Sequence, residues 1–159
     1  MEAFNVSGFE LFARKWGLLA AGDAQDSNAM TISWGGVGTL WGKPMVTVYV
    51  MPCRHTYQYM EKNDYFTVSF YPEAYKEDLG VMGTLSGRDG DKVAKTSLTL
   101  RPLEHGVTFE QAEVTLVCRK TYWQDLDKAN MPQYAIDHHY RTEAPHRMYI
   151  GEVVEIIRK

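Results

Sequence analysis

Hydrophobic and polar positions alternate along much of this chain with the period of two that marks β-strands. From Asn28 to Trp34, Met30, Ile32 and Trp34 share one face, and Ala29, Thr31 and Ser33 the other. A strand entering at Lys43-Pro44 sets Val46, Val48 and Val50 against Met45, Thr47 and Tyr49. Tyr65 to Tyr71 places Phe66, Val68 and Phe70 on one side before Pro72 stops it. Ala112 to Tyr122 alternates through Val114, Leu116 and Cys118, and His146 to Ile157 reads as a final strand. Trp16 to Ala21 is a compact apolar run. Thr99 to Leu103 and Val107 to Phe109 flank Glu104-His105-Gly106, a hairpin turn. Gly35, Gly36 and Gly38 break the strand that precedes them.

Helical spacing is confined to short stretches. Phe9 to Lys15 follows Ser7, which reads as its cap. Arg54 to Asn63 predicts a helix entered near Thr56, with Tyr57 and Met60 facing inward. Tyr75 to Leu85 carries Leu79 and Met82, Val93 to Ser97 makes one helical turn, and Asn130 to Tyr140 starts a helix near Pro132. Ser86 to Lys92 is a turn-rich loop. There is no internal repeat, low-complexity tract or linker, so residues 1–159 are expected to form a single domain. Antiparallel strands with short helical excursions predict a mainly β fold with short helices, closed into a barrel around one core.

Composition narrows the function. No apolar run approaches the ~20 residues of a membrane-crossing helix, so no membrane partner is expected. The first residues lack the basic-then-apolar layout of a signal peptide, which predicts a cytoplasmic protein. A net charge of −3 with no basic block argues against a nucleic-acid partner. Cys53 and Cys118 form no CxxC pair and no zinc-finger spacing, and read as reduced thiols. Aromatic residues reach 13%, with 10 Tyr and 4 Trp. That surplus fits a flat ligand or a subunit interface, and equally a β-rich core.

Several familiar chemistries fail on spacing. Gly35-Gly36-Val37-Gly38 lacks the GxGxxG pattern and precedes no helix. Asp89-Gly90-Asp91 lacks the remaining ligand positions of a calcium loop. His138 and His139 are adjacent and point in different directions, so they suit a surface pair better than a metal site, and no metal is expected. No GxSxG elbow places a serine nucleophile.

Two segments hold more chemistry. Pro52-Cys53-Arg54-His55-Thr56-Tyr57 lies where a strand meets a helix N-terminus. Unpaired N–H groups, a fixed cation and a hydroxyl there suit a phosphate monoester. Thr56 equally reads as a helix cap and Arg54 as a surface charge. Ser86-Gly87-Arg88 to Lys92 can offer backbone N–H groups to an anion, or be a solvated loop.

These segments, in this order, resemble the flavin reductase-like family with the FMN-binding split barrel. The matching stretches run from Asn28-Ala29-Met30-Thr31-Ile32-Ser33-Trp34-Gly35-Gly36 to Trp41-Gly42-Lys43-Pro44. Pro52, Arg54 and Thr56 follow, then Asn63-Asp64-Tyr65-Phe66-Thr67-Val68-Ser69-Phe70 and Ser86 to Lys92. Glu113, Cys118-Arg119-Lys120 and His146-Arg147-Met148-Tyr149-Ile150-Gly151-Glu152-Val153 complete the set. The likeness spans residues 10 to 157 and is strongest to the flavoredoxin-like branch.

The resemblance implies an FMN-binding split β-barrel that forms a homodimer, with one FMN per subunit near the interface. It implies an oxidoreductase taking a hydride from NADH or NADPH onto the flavin. Electrons would then pass to a small-molecule, flavin or protein acceptor. An FMN-containing electron carrier and a non-catalytic flavin-binding protein are the alternatives. Carried over by position, Asn28, Ala29, Met30, Thr31 and Trp34 line the ring and ribityl chain. Arg54 and Thr56 face the phosphate, and Lys92 the ring edge or ribityl oxygens; Ser86, Gly87 and His146 complete the contacts. No catalytic side chain is implied. One departure stands out: many relatives carry Arg before the Pro of an Arg-Pro-x-Arg-x-Thr pattern, and here that position is Met51.

Overall fold

Strand β1 (Gly17–Gly22) is apolar along its whole length and is buried on both faces. It can lie only between two layers, and the fold supplies them. A computed structural model describes residues 7–159. Its strands are β1, β2 (Ser27–Ile32), β3 (Gly35–Leu40), β4 (Lys43–Val50) and β5 (Tyr65–Phe70), then β6 (Leu100–Pro102), β7 (Val107–Phe109), β8 (Val114–Asp125) and β9 (Arg147–Arg158). Helix α1 (Gly8–Glu10) precedes β1, and between the strands lie α2 (His55–Lys62), α3 (Lys76–Thr84) and α4 (Gln133–His139). The main sheet is antiparallel in the order β2-β1-β5-β8-β9-β4-β3, and β6 and β7 form a separate hairpin.

Alternation sorts the side chains into two cores. Leu19, Met30, Ile32, Val46, Val48, Val50, Phe66, Val68, Phe70 and Cys118 point to one side. Leu11 and Phe12, from a π-helical turn after α1, and Met60 of α2 fill that side. Leu18, Ala20 and Ala29 point the other way, against Leu79 and Met82 of α3 and Val107 and Phe109 of the hairpin. The polar residues of β5 on this second face are buried but paired. Thr67 Oγ1 donates to the Val107 carbonyl at 2.6 Å, and the Ser69 and Tyr71 hydroxyls share a hydrogen bond of 2.8 Å.

Four expectations change. Among the described residues the ladder does not close: β2 and β3 are its edges, so the barrel is split rather than a continuous ring. The glycines after Trp34 do not end strand structure; they form β3, paired to β4 from Gly35↔Val48 to Leu40↔Lys43. The connecting turn, Trp41-Gly42, has φ of 53° and 69°, as a tight right-twisted hairpin requires. Gly35 is needed because a Cβ there would stand 2.6 Å from the Phe12 ring. Ser7 is no side-chain cap; its carbonyl accepts from the Glu10 and Leu11 amides. β8 also runs past Tyr122 to Asp125, helped by irregularities near Cys118 and Lys120 that bend the long β8–β9 ribbon.

Both central helices end on a lysine from elsewhere in the chain. Lys120 Nζ donates to the Met60 and Glu61 carbonyls at the end of α2. Lys92 Nζ donates to Met82 O at 2.9 Å and Leu85 O at 3.2 Å, at the end of α3. Lys92 is only 6% exposed. Burial, with Arg54 nearby adding to it, pulls its pKa down to about 8.

Two predictions follow from this packing. A Cβ on Gly151 would meet the Phe66 ring at 2.6 Å and Cys118 Cβ at 2.9 Å. Gly151→Ala should therefore cost about 1–3 kcal/mol by overpacking. Gly38→Ala, where a Cβ meets nothing within 4 Å, should change stability by less than about 0.5 kcal/mol. Urea unfolding of both variants checks the contrast. For Lys92, the unfolded chain holds the extra proton between a pH near 8 and the ordinary lysine value of 10.5, so this residue's contribution to stability rises with pH across that window. Lys92→Met should lose ground to wild type as the pH rises from about 7 to about 10. A stability difference that stays flat over that range would show an amine titrating normally.

Candidate functional site

The chain leaves β4 at Val50, turns at Pro52, and enters α2 with Arg54 in extended geometry at the N-cap position. No side chain caps this helix. Tyr57 N bonds the Arg54 carbonyl, while the amides of His55 and Thr56 have no carbonyl one turn back to bond. A helix start of this kind favours negative charge. Thr56 is the second residue of the helix and does not cap it, so the alternative capping role falls away. Its hydroxyl is buried and accepts from Asn28 Nδ2 at 2.7 Å, which leaves its own proton to donate.

Cations gather around this start. Arg54 Nη2 donates to the Gly83 carbonyl at 2.9 Å, and Arg88 Nη1 donates to the Cys53 carbonyl at 2.8 Å. The Ser86 hydroxyl accepts from the Arg88 amide at 3.2 Å and shapes the loop. Gly87 packs so tightly that a Cβ would stand 2.3 Å from Asn28 Oδ1 and 2.7 Å from His55 Cδ2. Together these groups line a cavity of ≈ 180 Å³ with Met30 and Lys92 at its side. The His55 pKa is lowered, by partial burial first and then by Arg88 and Lys92, so its ring is neutral at neutral pH.

A second cluster lies at the far end of β2. Trp34 stands edge-on to His139 of α4, with ring centres 4.9 Å apart, and 5.1 Å from His146. His146 Nδ1 and the Tyr140 hydroxyl are hydrogen-bonded at 2.8 Å. Burial, then the neighbouring His139 and Arg54, pull the His146 pKa down to about 4. Arg54 thus acts electrostatically on both clusters. β2 connects them, and as an edge strand it leaves its outer backbone N–H and C=O groups without a strand partner.

The predicted residues divide accordingly. Asn28, Met30, Arg54, Thr56, Ser86, Gly87 and Lys92 meet at the anion cavity, and Trp34 and His146 meet at the second cluster. Ala29 faces the core beneath α3. Thr31 Oγ1 donates to the Leu79 carbonyl at 2.6 Å and is occupied in holding α3. The Lys92 ammonium is likewise engaged with α3 carbonyls rather than free. Sequence reasoning missed Arg88, His55, His139 and Tyr140. Only helix phase separates His139 from His138, since adjacent helical residues lie about 100° apart. Among the described residues, no group of three or more His, Cys, Asp or Glu side chains is arranged to hold a metal.

Comparison with known proteins places this geometry. The model of the flavin reductase like domain matches residues 9–159. No curated protein matches the sequence. Among solved structures, the fold is similar to flavoredoxin from Methanosarcina acetivorans, with a TM-score of 0.71 at 17% identity, covering 100% of this chain and 76% of that one. Flavoredoxin of Desulfovibrio vulgaris (Miyazaki F) gives 0.71 at 18%, covering 100% and 76%. An FMN-binding protein from Thermus thermophilus with bound 1-cyclohex-2-enone gives 0.71 at 18%, covering 99% and 80%. The split sheet is therefore shared with flavoproteins at low identity, and the family match spans nearly the whole described chain: it belongs to the flavin reductase-like family.

Proposed function

We propose that the protein is an FMN-dependent oxidoreductase that takes a hydride from NADH or NADPH and passes electrons to a flavin, small-molecule or protein acceptor. The observation that carries this reading is the uncapped start of α2, set between Arg54 and Arg88, with a buried Thr56 hydroxyl held in place by Asn28. The donor set fits a phosphate dianion. Structural neighbours include a flavoredoxin and an FMN-binding protein, which supports a flavin as the phosphate's carrier.

The residues divide the work. Thr56 and the first amides of α2 would hold the phosphate, with Arg54 as the fixed cation. Met51 stands where many relatives carry Arg, and Arg88 brings a guanidinium to the same turn through its bond to Cys53 O. The free edge of β2 offers backbone donors and acceptors to a flat heterocycle, and Met30 and Trp34 would shield it from water. His146, held neutral, has one ring nitrogen fixed by Tyr140 and the other available to hold or move a proton. Bound FMN supplies the hydride acceptance at its ring that no side chain here can perform.

A homodimer is part of the proposal. Val37, Trp41, Tyr122 and Val154 are large, apolar and exposed, and Trp41 and Tyr122 stand edge to face. Such a patch supports a self-complementary two-fold interface. The unpaired thiols of Cys53 and Cys118 fit a reducing, cytoplasmic setting.

Hydrogen bonds to charged groups contribute roughly 1.5–3 kcal/mol each. Thr56→Val and Arg54→Met should each weaken FMN binding about tenfold or more, and riboflavin binding much less. Fluorescence titration of both ligands checks this, and equal losses would remove these residues from the phosphate. Oxidation of NADH or NADPH with FMN present tests the enzyme, and tight FMN binding without turnover would favour the electron-carrier alternative. Light scattering should report about twice the 18.2 kDa chain mass; a monomer that still holds FMN would remove the dimer.

A further inference from the structure

The chain leaves β8 at Asp125 and rejoins the sheet at Arg147, and these two residues are paired across the β8–β9 ladder. Residues 126–146 are therefore an excursion that starts and ends at one point. Its neck is well fastened. Leu126 N donates to the His146 carbonyl at 3.0 Å. Arg147 donates through Nε and Nη2 to the two carboxylate oxygens of Asp125, at 2.7 and 2.9 Å. The same guanidinium lies 3.8 Å from the centre of the Trp123 ring, and its Nη1 is 3.1 Å from a Glu61 carboxylate oxygen at the end of α2.

Above the neck the excursion is bonded to itself. Lys128 Nζ donates to the Tyr140 carbonyl at 2.7 Å, and Gln133 Nε2 to Asp137 Oδ1 at 2.9 Å. Of residues 126–145, Tyr140 alone is buried, and α4 has no buried residue. A segment with its own bonds and little buried surface can swing as a unit about its neck. Ala135, Ile136, His139 and Tyr140 share one side of α4 by their spacing. From that side His139 meets Trp34 edge-on, 4.9 Å away. Trp34 nevertheless stays 44% exposed, and Ala135 and Ile136 are only half-buried. The contact joins two faces that are each incompletely covered, and a flat ring between them would complete the cover.

We infer that residues 126–146 form a hinged lid over the Trp34 end of β2, which opens to admit the flavin ring and closes over it, with the His139–Trp34 contact as its latch. This rests on the flavin reading above and adds a gating step to it.

The neck supplies the test. Leu126 and His146 already bond as the last pair of a hairpin does, so residues 127–145 can be replaced by Asn-Gly, a two-residue turn. Stopped-flow fluorescence then follows FMN binding to wild type, to this shortened chain and to His139→Ala. His139→Ala should raise both the on-rate and the off-rate about two- to tenfold, the worth of one aromatic contact. The shortened chain should raise both at least as far, because entry no longer waits for opening. Loss of a residue that merely touches the ring would raise the off-rate alone. An unchanged on-rate in the two variants therefore overturns the inference, and so does loss of FMN binding on shortening, which would make the segment a fixed wall. Hydrogen exchange on wild type needs no variant. The amides of α4 should exchange more slowly once FMN is added and be unmoved by inorganic phosphate, which occupies the anion cavity alone. Exchange that FMN leaves unchanged overturns the lid and leaves the flavin reading standing. Failure of FMN to bind wild type overturns the flavin reading, and the lid with it.

Discussion

The carbonyls at the end of α3 hold two cations from separate parts of the chain. Lys92 takes Met82 O and Leu85 O, and Arg54 takes Gly83 O. A helix C-terminus carries partial negative charge, and charge-assisted bonds to it are each worth roughly 1.5–3 kcal/mol. This one contact draws the positive start of α2, through Arg54, onto the negative end of α3. It also anchors the loop that leads into Lys92, and Arg88 ties that loop back to Cys53. The walls that the start of α2, the end of α3 and this loop give the anion cavity meet at it.

The arrangement brings two cations close together. Arg54 lies close enough to Lys92 to lower its pKa, so the two cations repel within a partly desolvated site. Helix carbonyls offset part of this, but carry only partial charge. A dianion between the cations would offset the rest. The polar side chains are already fixed by partners within the fold, with Asn28 on Thr56 and Ser86 on the Arg88 amide. Little ordering entropy then remains to oppose binding.

What was legible in the sequence was what alternation or a helix start encodes. The two faces of β2, β4 and β5 and the inward residues of α2 and α3 follow from period and spacing alone, since each is a local property of the chain. β3 was illegible because its glycines answer to the Phe12 ring and a hairpin partner, not to strand propensity. The open edges of the barrel follow from long-range pairing that no local pattern reports. Thr31 and Lys92 stood out by residue type and order, but their connections were not legible. Both turn out to bond the carbonyls of α3. Arg88 sits in the turn-rich loop with no local feature to mark it, because its contact reaches Cys53, 35 residues earlier.

The two ends of β2 differ in their electrostatics, and the difference has a single origin. At Asn28 the surroundings are cationic and hydrogen-bonding; at Trp34 they are aromatic, with His146 kept neutral. Arg54 contributes to both, since its charge supplies the first environment and helps depress protonation of His146 in the second. A charged imidazole at the Trp34 end would bring another ion into a half-buried pocket at a cost of several kcal/mol unless paired. One fixed cation therefore acts on both ends of a single strand, the hydrogen-bonding end at Asn28 and the aromatic end at Trp34.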